Sequence, residues 1–264
     1  MLSIAGPELL DDSIIVTMSR KSRIDEAVAE IRSAFPSSDL ALLIVYFGAC
    51  YDAPALASAL AAAFPGVEIA GCSTAGEMTP QGISDNSIVA AGLANGPFTA
   101  VTRCLTGLTK LGMRRTRQTA ADAVRELREE RQRVTNSRYR WSRTQTPDSQ
   151  GEQTFALLLT DGMSHVEEKL VSALSGSLLN IPLIGGSAGD GLRFRAAQVI
   201  HGGKAHSDAA VFALITSRFP MMTFSSCHFA PTPVKLVVTS ADAERRIVRE
   251  LNGAPAASEY AAAL

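Results

Sequence analysis

The sequence carries two glycine-rich stretches, GCSTAGE at residues 71–77 and GGSAGD at residues 185–190. They begin 114 residues apart, and a short apolar run precedes each of them, at residues 67–70 and 181–184. Short apolar runs that end in glycine are typical of β-strands leading into tight turns. The two stretches therefore predict two strand–loop units of the same design, and the rest of the chain is interpreted around them.

The equal spacing continues upstream of both stretches. Apolar runs at residues 40–47 and 155–160 are typical of strands that are buried on both faces. A helical pattern follows each run, at residues 53–64 and from Ser164 to about residue 177. Ser164 and Glu167 have the spacing of a capping box, so we expect Ser164 to cap the second helix.

Extended apolar segments also follow the two loops, at residues 87–93 and 209–215. Strand, helix, strand, loop and strand thus recur at one offset, which we interpret as an internal duplication of a β-α-β-loop-β unit. A further strand at residues 13–18 and an amphipathic helix at residues 23–35 precede the first unit. The expected fold class is α/β, with the two units forming one pseudo-symmetric module.

Composition excludes several classes of protein. The 264 residues include 25 basic and 26 acidic side chains and are 46% hydrophobic, which is typical of a globular protein rather than a disordered one. The net charge of -1 argues against a surface built for nucleic acid or anionic membrane. No run approaches 18 apolar residues and the N-terminus lacks a signal-peptide pattern, so we expect a cytoplasmic protein with reduced cysteines.

A basic segment at residues 110–143 separates the two units. Within it, residues 118–133 predict a solvated helix whose apolar stripe is Ala121, Val124 and Leu127. A nucleic-acid groove is the alternative, but the segment holds few aromatic residues, so we favour a helix followed by an exposed linker.

The loops are the candidate ligand site, because glycines expose main-chain N–H groups at the carboxyl ends of strands, where open α/β sheets bind ligands. The alternative is that the loops only form tight turns between the repeats. The candidate ligand-binding residues are Gly71, Cys72, Ser73, Thr74, Gly76, Glu77, Asp161, Gly185, Gly186, Ser187, Gly189 and Asp190.

Two catalytic interpretations carry less weight. GGSAG at residues 185–189 matches the G-x-S-x-G pattern of a serine hydrolase, but no helix is expected after Ser187 to form a nucleophile elbow. Cys72 has no histidine nearby in its loop to form a thiolate. We therefore expect no enzyme, and a hydrolase that uses Ser187 is the third alternative.

The histidines bear on haem binding. We expect His165 in the first turn of a helix, and His201 and His206 on either side of a Gly202-Gly203 hairpin turn. His228 differs because apolar, soft and aromatic residues surround it at positions 221–229, a setting that suits either a haem ligand or a buried histidine.

Several motifs together resemble the FIST-domain family: GCSTAGE, LLLTDGMS, PLIGGSAGD and the C-terminal stretch that begins VVTSADAERR. Other segments, among them VYFGACYD and CHFAPTPVKLVVT, are most similar to the nitric-oxide-sensing, haem-binding members. The resemblance implies a sensory input module for a small ligand, with a histidine kinase or a cyclic-di-GMP enzyme as partner. It also implies haem b as cofactor. The resemblance does not fix the axial ligand, for which His228 is the candidate because of its apolar surroundings.

The resemblance also sets the expected domain boundaries. It implies a FIST N-terminal sensory module and the start of a FIST C-terminal module, which we expect to be incomplete. The expected ranges are 1–24 for the lead-in, 25–220 for the N-terminal module (repeat one 38–106, basic helix and linker 107–152, repeat two 153–220) and 221–264 for the C-terminal segment.

The sequence, with this resemblance, therefore predicts an intracellular sensor that bears haem and responds to nitric oxide. We expect it to act by contact with a signalling partner and to bind neither nucleic acid nor membrane. The alternative is a non-haem sensor that holds an amino-acid-like ligand at the glycine-rich loops.

Overall fold

A computed structural model describes residues 13–37, 39–79, 82–139, 152–191, 193–225, 229–243 and 245–263, with the backbone alone for residues 134–139. The chain divides into two compact units, Met1–Met222 and Thr223–Leu264. In chain order, the first unit contains β1 (Ile14–Ser19), α1 (Ile24–Ser33), β2 (Leu40–Gly48), α2 (Ala53–Ala63), β3 (Ile69–Thr74), β4 (Glu77–Thr79), β5 (Gly82–Ser84), β6 (Ile88–Ala94), β7 (Phe98–Thr106), α3 (Met113–Tyr139), β8 (Gln153–Asp161), α4 (Glu167–Leu178), β9 (Leu183–Ala188), β10 (Val199–His201), β11 (Lys204–His206) and β12 (Ala209–Ser217).

The first unit has four layers built on two sheets. Sheet one has the strand order β1-β6-β2-β3-β10-β11, and sheet two has the order β7-β12-β8-β9. Alternating side chains of β12 show the layering: Val211 packs between the two sheets, whereas Phe212 packs against α3 and α4. On β2, Leu42 faces the space between the sheets and Leu43 faces α1 and α2. Both sheets are therefore buried on two faces, which explains the continuous apolar runs.

The two halves share one strand arrangement. The order β1-β6-β2-β3 in sheet one matches β7-β12-β8-β9 in sheet two. The β2–β3 and β8–β9 pairs are parallel, and the β1–β6 and β7–β12 pairs are antiparallel. A mixed α/β fold is confirmed. The matching orders are what an internal duplication would produce, and the duplication itself stays an interpretation.

The two halves differ in where their hairpins lie. The β10–β11 hairpin of the second half joins sheet one, because β10 pairs antiparallel with β3. Ile200 of this hairpin is buried in the core between sheet one and its helices, and Gly203 lies close to Ala61 of α2. The β4–β5 hairpin, at the corresponding place in the first half, forms a separate two-stranded sheet. The outer side of β3 is therefore covered, whereas β9 is the last strand of sheet two as far as the described residues go.

Two local expectations are wrong. Ser164 does not cap α4: the N-cap is Val166, without a side-chain hydrogen bond, and the Ser164 hydroxyl donates to the main-chain oxygen of Asp161 at 2.7 Å. His165 precedes α4 at a positive φ of 56° and so lies outside its first turn. The backbone turns sharply at 161–165, which moves the start of α4 to Glu167.

The central helix α3 is longer than expected, and its buried stripe is Thr116, Ala120, Ala123 and Leu127. Ala121 is exposed, so the predicted stripe was displaced by one residue at that position. Because α3 packs on sheet two and on α4, it is a covering helix of the fold and not only a solvated one.

The second unit contains β13 (Val238–Asp242), β14 (Ile247–Leu251), β15 (Ala254–Pro255) and α5 (Ala256–Ala263). The three strands form an antiparallel sheet in chain order. Its assignment as the start of a C-terminal module stays a prediction. None of the described helices combines the length and hydropathy that a bilayer crossing demands.

Candidate functional site

The two glycine-rich loops meet at the carboxyl ends of β3 and β9. The N–H groups of Gly189 and Gly191 donate to the carbonyl oxygens of Ser73 and Thr74, at 2.9 and 3.2 Å. Ser73 also exchanges two hydrogen bonds with Gln198: its N–H donates to the Gln198 carbonyl, and the Gln198 N–H donates to its Oγ. These main-chain groups join the two halves to each other.

Glu77 is a buried carboxylate, 2% exposed, at the start of β4. The Thr74 hydroxyl donates to Glu77 Oε1 at 2.5 Å, and both the N–H and the hydroxyl of Ser87 donate to Oε2, at 3.0 and 2.7 Å. A buried carboxylate must be paired or hydrogen-bonded to stay charged. Glu77 therefore ties the first loop to the strand that follows it.

The two predicted aspartates act in the same way. Asp190 accepts hydrogen bonds from the N–H groups of Phe194, Arg195 and Ala196, at 2.8, 2.6 and 2.9 Å. These donors, with Ala196 first and Arg195 next, hold the pKa of the Asp190 carboxyl below its ordinary value. Asp161 accepts from the N–H groups of Met163 and Asp208. Both carboxylates fix turns, and a ligand role for them stays a prediction.

Several of the loop positions need glycine for steric reasons. A Cβ on Gly71 would collide with the carbonyl oxygen of Val45, and one on Gly185 would collide with that of Leu158. The two collisions are equivalent, since Gly71 is paired with Val45 and Gly185 with Leu158 in the two parallel strand pairs. Gly76 has a φ of 141°, a conformation that favours glycine.

Cys72 lies between Gly71 and Ser73 on β3, where its side chain is buried between the two sheets. Burial raises the pKa of the Cys72 thiol to about 12. A thiol with this pKa is protonated at neutral pH, which argues against a nucleophile.

A cavity of about 420 Å³ lies between helix α4 and strand β9. Gly185 and Gly186 of β9 form part of its wall. The lining residues are Leu158, Thr160, Glu167, Val171, Ser175, Leu179, Ile181, Leu183, Ile184, Gly185, Gly186 and Ser187. Three of the predicted ligand residues, Gly185, Gly186 and Ser187, thus line one cavity.

One end of the cavity is polar. Thr160 on β8 is paired with Ser187 on β9, so their side chains lie on the same face of sheet two. Ser187 Oγ is 3.5 Å from Glu167 Oε1, at the start of α4. The Thr160 hydroxyl is buried, in a residue that is 4% exposed, and it is the one buried side-chain polar atom of the described residues that has no hydrogen-bond partner. A buried hydroxyl without a hydrogen-bond partner requires an explanation, and a bound molecule that supplies the partner would be such an explanation.

The corresponding place in the first half is filled. There Ile200 and Ala205 of the β10–β11 hairpin pack in the core between α2 and sheet one. Since β9 carries no strand on its outer side within the described residues, the same place beside α4 is open. The cavity is therefore a difference between two halves that otherwise share one design.

The geometry gives a serine hydrolase no support. Ser187 lies inside β9, and no helix follows it within residues 189–191 and 193–198, as expected from the sequence. Its hydrogen-bond partner is Glu167, and the cavity lining contains no histidine. A nucleophilic serine needs an adjacent base, which this setting does not provide.

Three of the four histidines lie in the described residues, and His165 precedes α4. His201 and His206 flank the Gly202-Gly203 turn between β10 and β11, which confirms the predicted hairpin. The Nε2 of His201 is 2.9 Å from the Thr102 hydroxyl, and burial lowers the pKa of this imidazole. His228, the predicted haem ligand, lies outside the described residues. Across the part of the chain that is described, no three His, Cys, Asp or Glu side chains converge as metal ligands.

Family comparison agrees with the motifs in the loops. The sequence pattern of the FIST N domain matches residues 41–254, from β2 to β15. The chain belongs to the FIST family. FIST N domains are non-catalytic sensory domains for small ligands in signalling proteins. A search of curated proteins finds no match for the chain.

Thr160 and Glu167 are among the cavity residues that were not predicted as site residues in this FIST domain. Thr160 ends the apolar run at residues 155–160, and a polar residue at the end of a buried strand was the available signal. Glu167 was assigned to a capping box, although its side chain lines the cavity. Nothing in the sequence marks the space itself, because it depends on β9 having no strand on its outer side among the residues that the structure describes.

Proposed function

We propose that this FIST domain is a small-ligand sensor whose ligand binds in the cavity between α4 and β9. The observation that carries the proposal is the open cavity beside α4, at the place that the β10–β11 hairpin fills beside α2 in the first half. Its volume lies within the range of small-molecule sites, and apolar walls with a few polar groups are the usual lining of such sites.

Ligand binding in this cavity would favour one position of α4 over another. The helix forms one wall of the cavity through Glu167, Val171 and Ser175, and the adjacent face of the same helix packs in the core with α3 and sheet two. A ligand that contacts both α4 and β9 stabilises the arrangement in which the two lie close together. A conformational change follows only from such a difference in affinity between two states. The signal would leave the domain through the surface of α4 and α3.

A cavity-filling variant tests the site. Val171 lines the cavity and Ser172, next to it on α4, is exposed and does not. Val171→Trp should abolish the thermal stabilisation that wild type gains from ligands in a panel of hexylamine, hexan-1-ol, hexanoate and L-leucine, and Ser172→Trp should retain it. Equal stabilisation of both variants would place binding elsewhere, and no stabilisation of wild type by any compound would count against the cavity.

An amino-acid-like ligand at the glycine-rich loops stays the alternative. L-leucine in the panel addresses it: stabilisation by L-leucine that persists in Val171→Trp and is lost in Asp190→Ala would favour the loops over the cavity.

Haem and nitric oxide form a separate proposal, supported by the resemblance to the haem-binding members of the family. The cavity beside α4 does not fit haem, because its lining offers no His, Cys or Met as an axial ligand. The proposal therefore depends on His228. Reconstitution with hemin tests it: a Soret band that shifts with nitric oxide should disappear in His228→Ala and persist in His206→Ala.

The partner is proposed on the same resemblance: a histidine kinase or a cyclic-di-GMP enzyme. Adding the chain to the kinase or cyclase encoded beside its gene should change the activity of that enzyme in a ligand-dependent way. If Val171→Trp changes the activity of the enzyme to the same extent with and without ligand, the variant still contacts the partner but no longer senses the ligand.

A further inference from the structure

We infer that the cavity beside α4 is built for a small aliphatic primary amine, with the ammonium group held by Thr160, Ser187 and Glu167. The inference rests on the proposed function, since it names the ligand class of the same cavity. Two observations support it: the hydrogen-bonding groups at the polar end of the cavity, and the charge of the residues that line the cavity.

The polar end offers acceptors on three side chains. The carboxylate of Glu167 only accepts hydrogen bonds, and the hydroxyls of Thr160 and Ser187 both have accepting lone pairs. An ammonium group has three donors and no acceptor, so it can bond to all three side chains at once. The Thr160 hydroxyl, which is otherwise unpaired, would gain its partner. Ser187 and Glu167 are already 3.5 Å apart, a spacing at which both can contact one cation.

The charge of the lining favours a cation. Glu167 is the one charged residue in the lining, which contains no lysine, arginine or histidine. No ion pair joins Glu167 to another side chain of the described residues. A ligand carboxylate would therefore meet a like charge without compensation. The N-terminus of α4 carries a partial positive charge of about half a unit, which is smaller than the full charge of Glu167.

The remainder of the cavity suits an alkyl chain. Leu179, Ile181 and Leu183 line it at the end opposite Ser187 on β9. Four residue steps separate Leu183 from Ser187, a distance of about 13 Å along an extended strand. An extended hexyl chain with its ammonium group fits this length, with the carbon atoms against the apolar end. Burying those carbons supplies most of the affinity, and the ammonium sets the specificity.

Calorimetric titration with hexylamine, hexan-1-ol and hexanoate tests the inference. Wild type should bind hexylamine about tenfold or more tightly than hexan-1-ol, because hydrogen bonds to charged groups are worth at least that much, and should not bind hexanoate. Glu167→Gln should remove the preference for hexylamine and keep hexan-1-ol binding. Glu168→Gln is the control, since Glu168 is exposed on the same helix turn and does not line the cavity.

Thr160→Val separates a ligand role from a structural one. Because the hydroxyl has no partner in the protein, the variant should keep or raise the melting temperature while hexylamine binding weakens several-fold. A lower melting temperature with unchanged binding would overturn the role of Thr160.

The possible failures are distinguishable. Equal binding of hexan-1-ol and hexylamine, lost in Val171→Trp, would overturn the amine class and leave the cavity as a ligand site. Tighter binding of hexanoate would also overturn it. No binding of any of the three compounds would count against the cavity as well.

Discussion

The N–H of Gly189 donates to the carbonyl oxygen of Ser73 at 2.9 Å, so a residue of the second glycine-rich loop is bonded to a residue of the first across 116 positions of sequence. Hydrogen bonds of this kind join the two halves, and the cavity beside α4 is lined by the first residues of the second glycine-rich stretch, Gly185, Gly186 and Ser187.

The glycines of β9 should differ sharply in their tolerance to substitution. A Cβ at Gly185 would collide with the Leu158 main chain and the residue has a φ of 154°, whereas nothing lies within 4 Å of a Cβ at Gly186. Gly185→Ala should lower the free energy of unfolding by about 3 kcal/mol or more, and Gly186→Ala should change it by less than about 0.5 kcal/mol. Urea unfolding of both variants measures the difference. Equal effects would mean that β9 does not approach β8 as described.

Glu77 should be a stabilising residue rather than a ligand contact. Glu77→Ala leaves the N–H and hydroxyl of buried Ser87 without an acceptor, and should cost about 2–4 kcal/mol in urea unfolding. Ser87→Ala removes a single hydroxyl donor and should cost less. If Glu77→Ala abolished ligand binding at full stability, the carboxylate would instead belong to a binding site.

The Asp190 carboxyl should make stability depend on acid. Main-chain donors lower its pKa in the folded protein below the ordinary value of 3.8. The unfolded chain therefore binds the proton first as the pH falls. The stabilisation is fully present above about pH 4 and is lost as the pH drops through the folded pKa. Wild type should exceed Asp190→Asn in stability at pH 7, and the gap should narrow below pH 4. A gap that stays constant from pH 7 to pH 3 would show that the carboxylate charge is not involved.

Cys72 should resist alkylation in the folded protein. With a pKa of about 12 and a buried side chain, only about one thiol in ten thousand is ionised at pH 8. Iodoacetamide followed by peptide mass analysis should modify exposed Cys50 first and reach Cys72 only in urea. Modification of Cys72 as fast as Cys50 without urea would restore the case for a reactive thiol.

The sequence predicted the position of those strands and helices whose burial is visible in the local order of apolar and polar residues. The run at residues 40–47 predicted β2 to within one residue, because a strand covered on both faces must be apolar throughout. Ser164 illustrates the limit. Its spacing to Glu167 satisfied the capping-box pattern, but its hydroxyl bonds to Asp161 instead, a competition between two turns that residue types alone do not decide.

Pairing between distant strands was also beyond the sequence. The hairpin around Gly202-Gly203 was predicted, but its position on β3 depends on contacts with Cys72 and Gly71 that lie far away in the chain. The cavity also depends on the position of this hairpin, because the hairpin pairs with β3 and leaves β9 as the last described strand of sheet two. Its key polar residue, Thr160, resembles any other strand residue until the partners around it are known.

The place of β10–β11 has a consequence for how the protein is made. Residues 199–206 complete sheet one, yet they leave the ribosome long after β3 has emerged. Until then the nascent first half exposes an unfinished sheet edge and lacks Ile200 in its core. Exposed strand edges of this kind favour aggregation. Chaperone demand during translation should therefore persist until the second half is synthesised, and fragments that end before residue 199 should be poorly soluble.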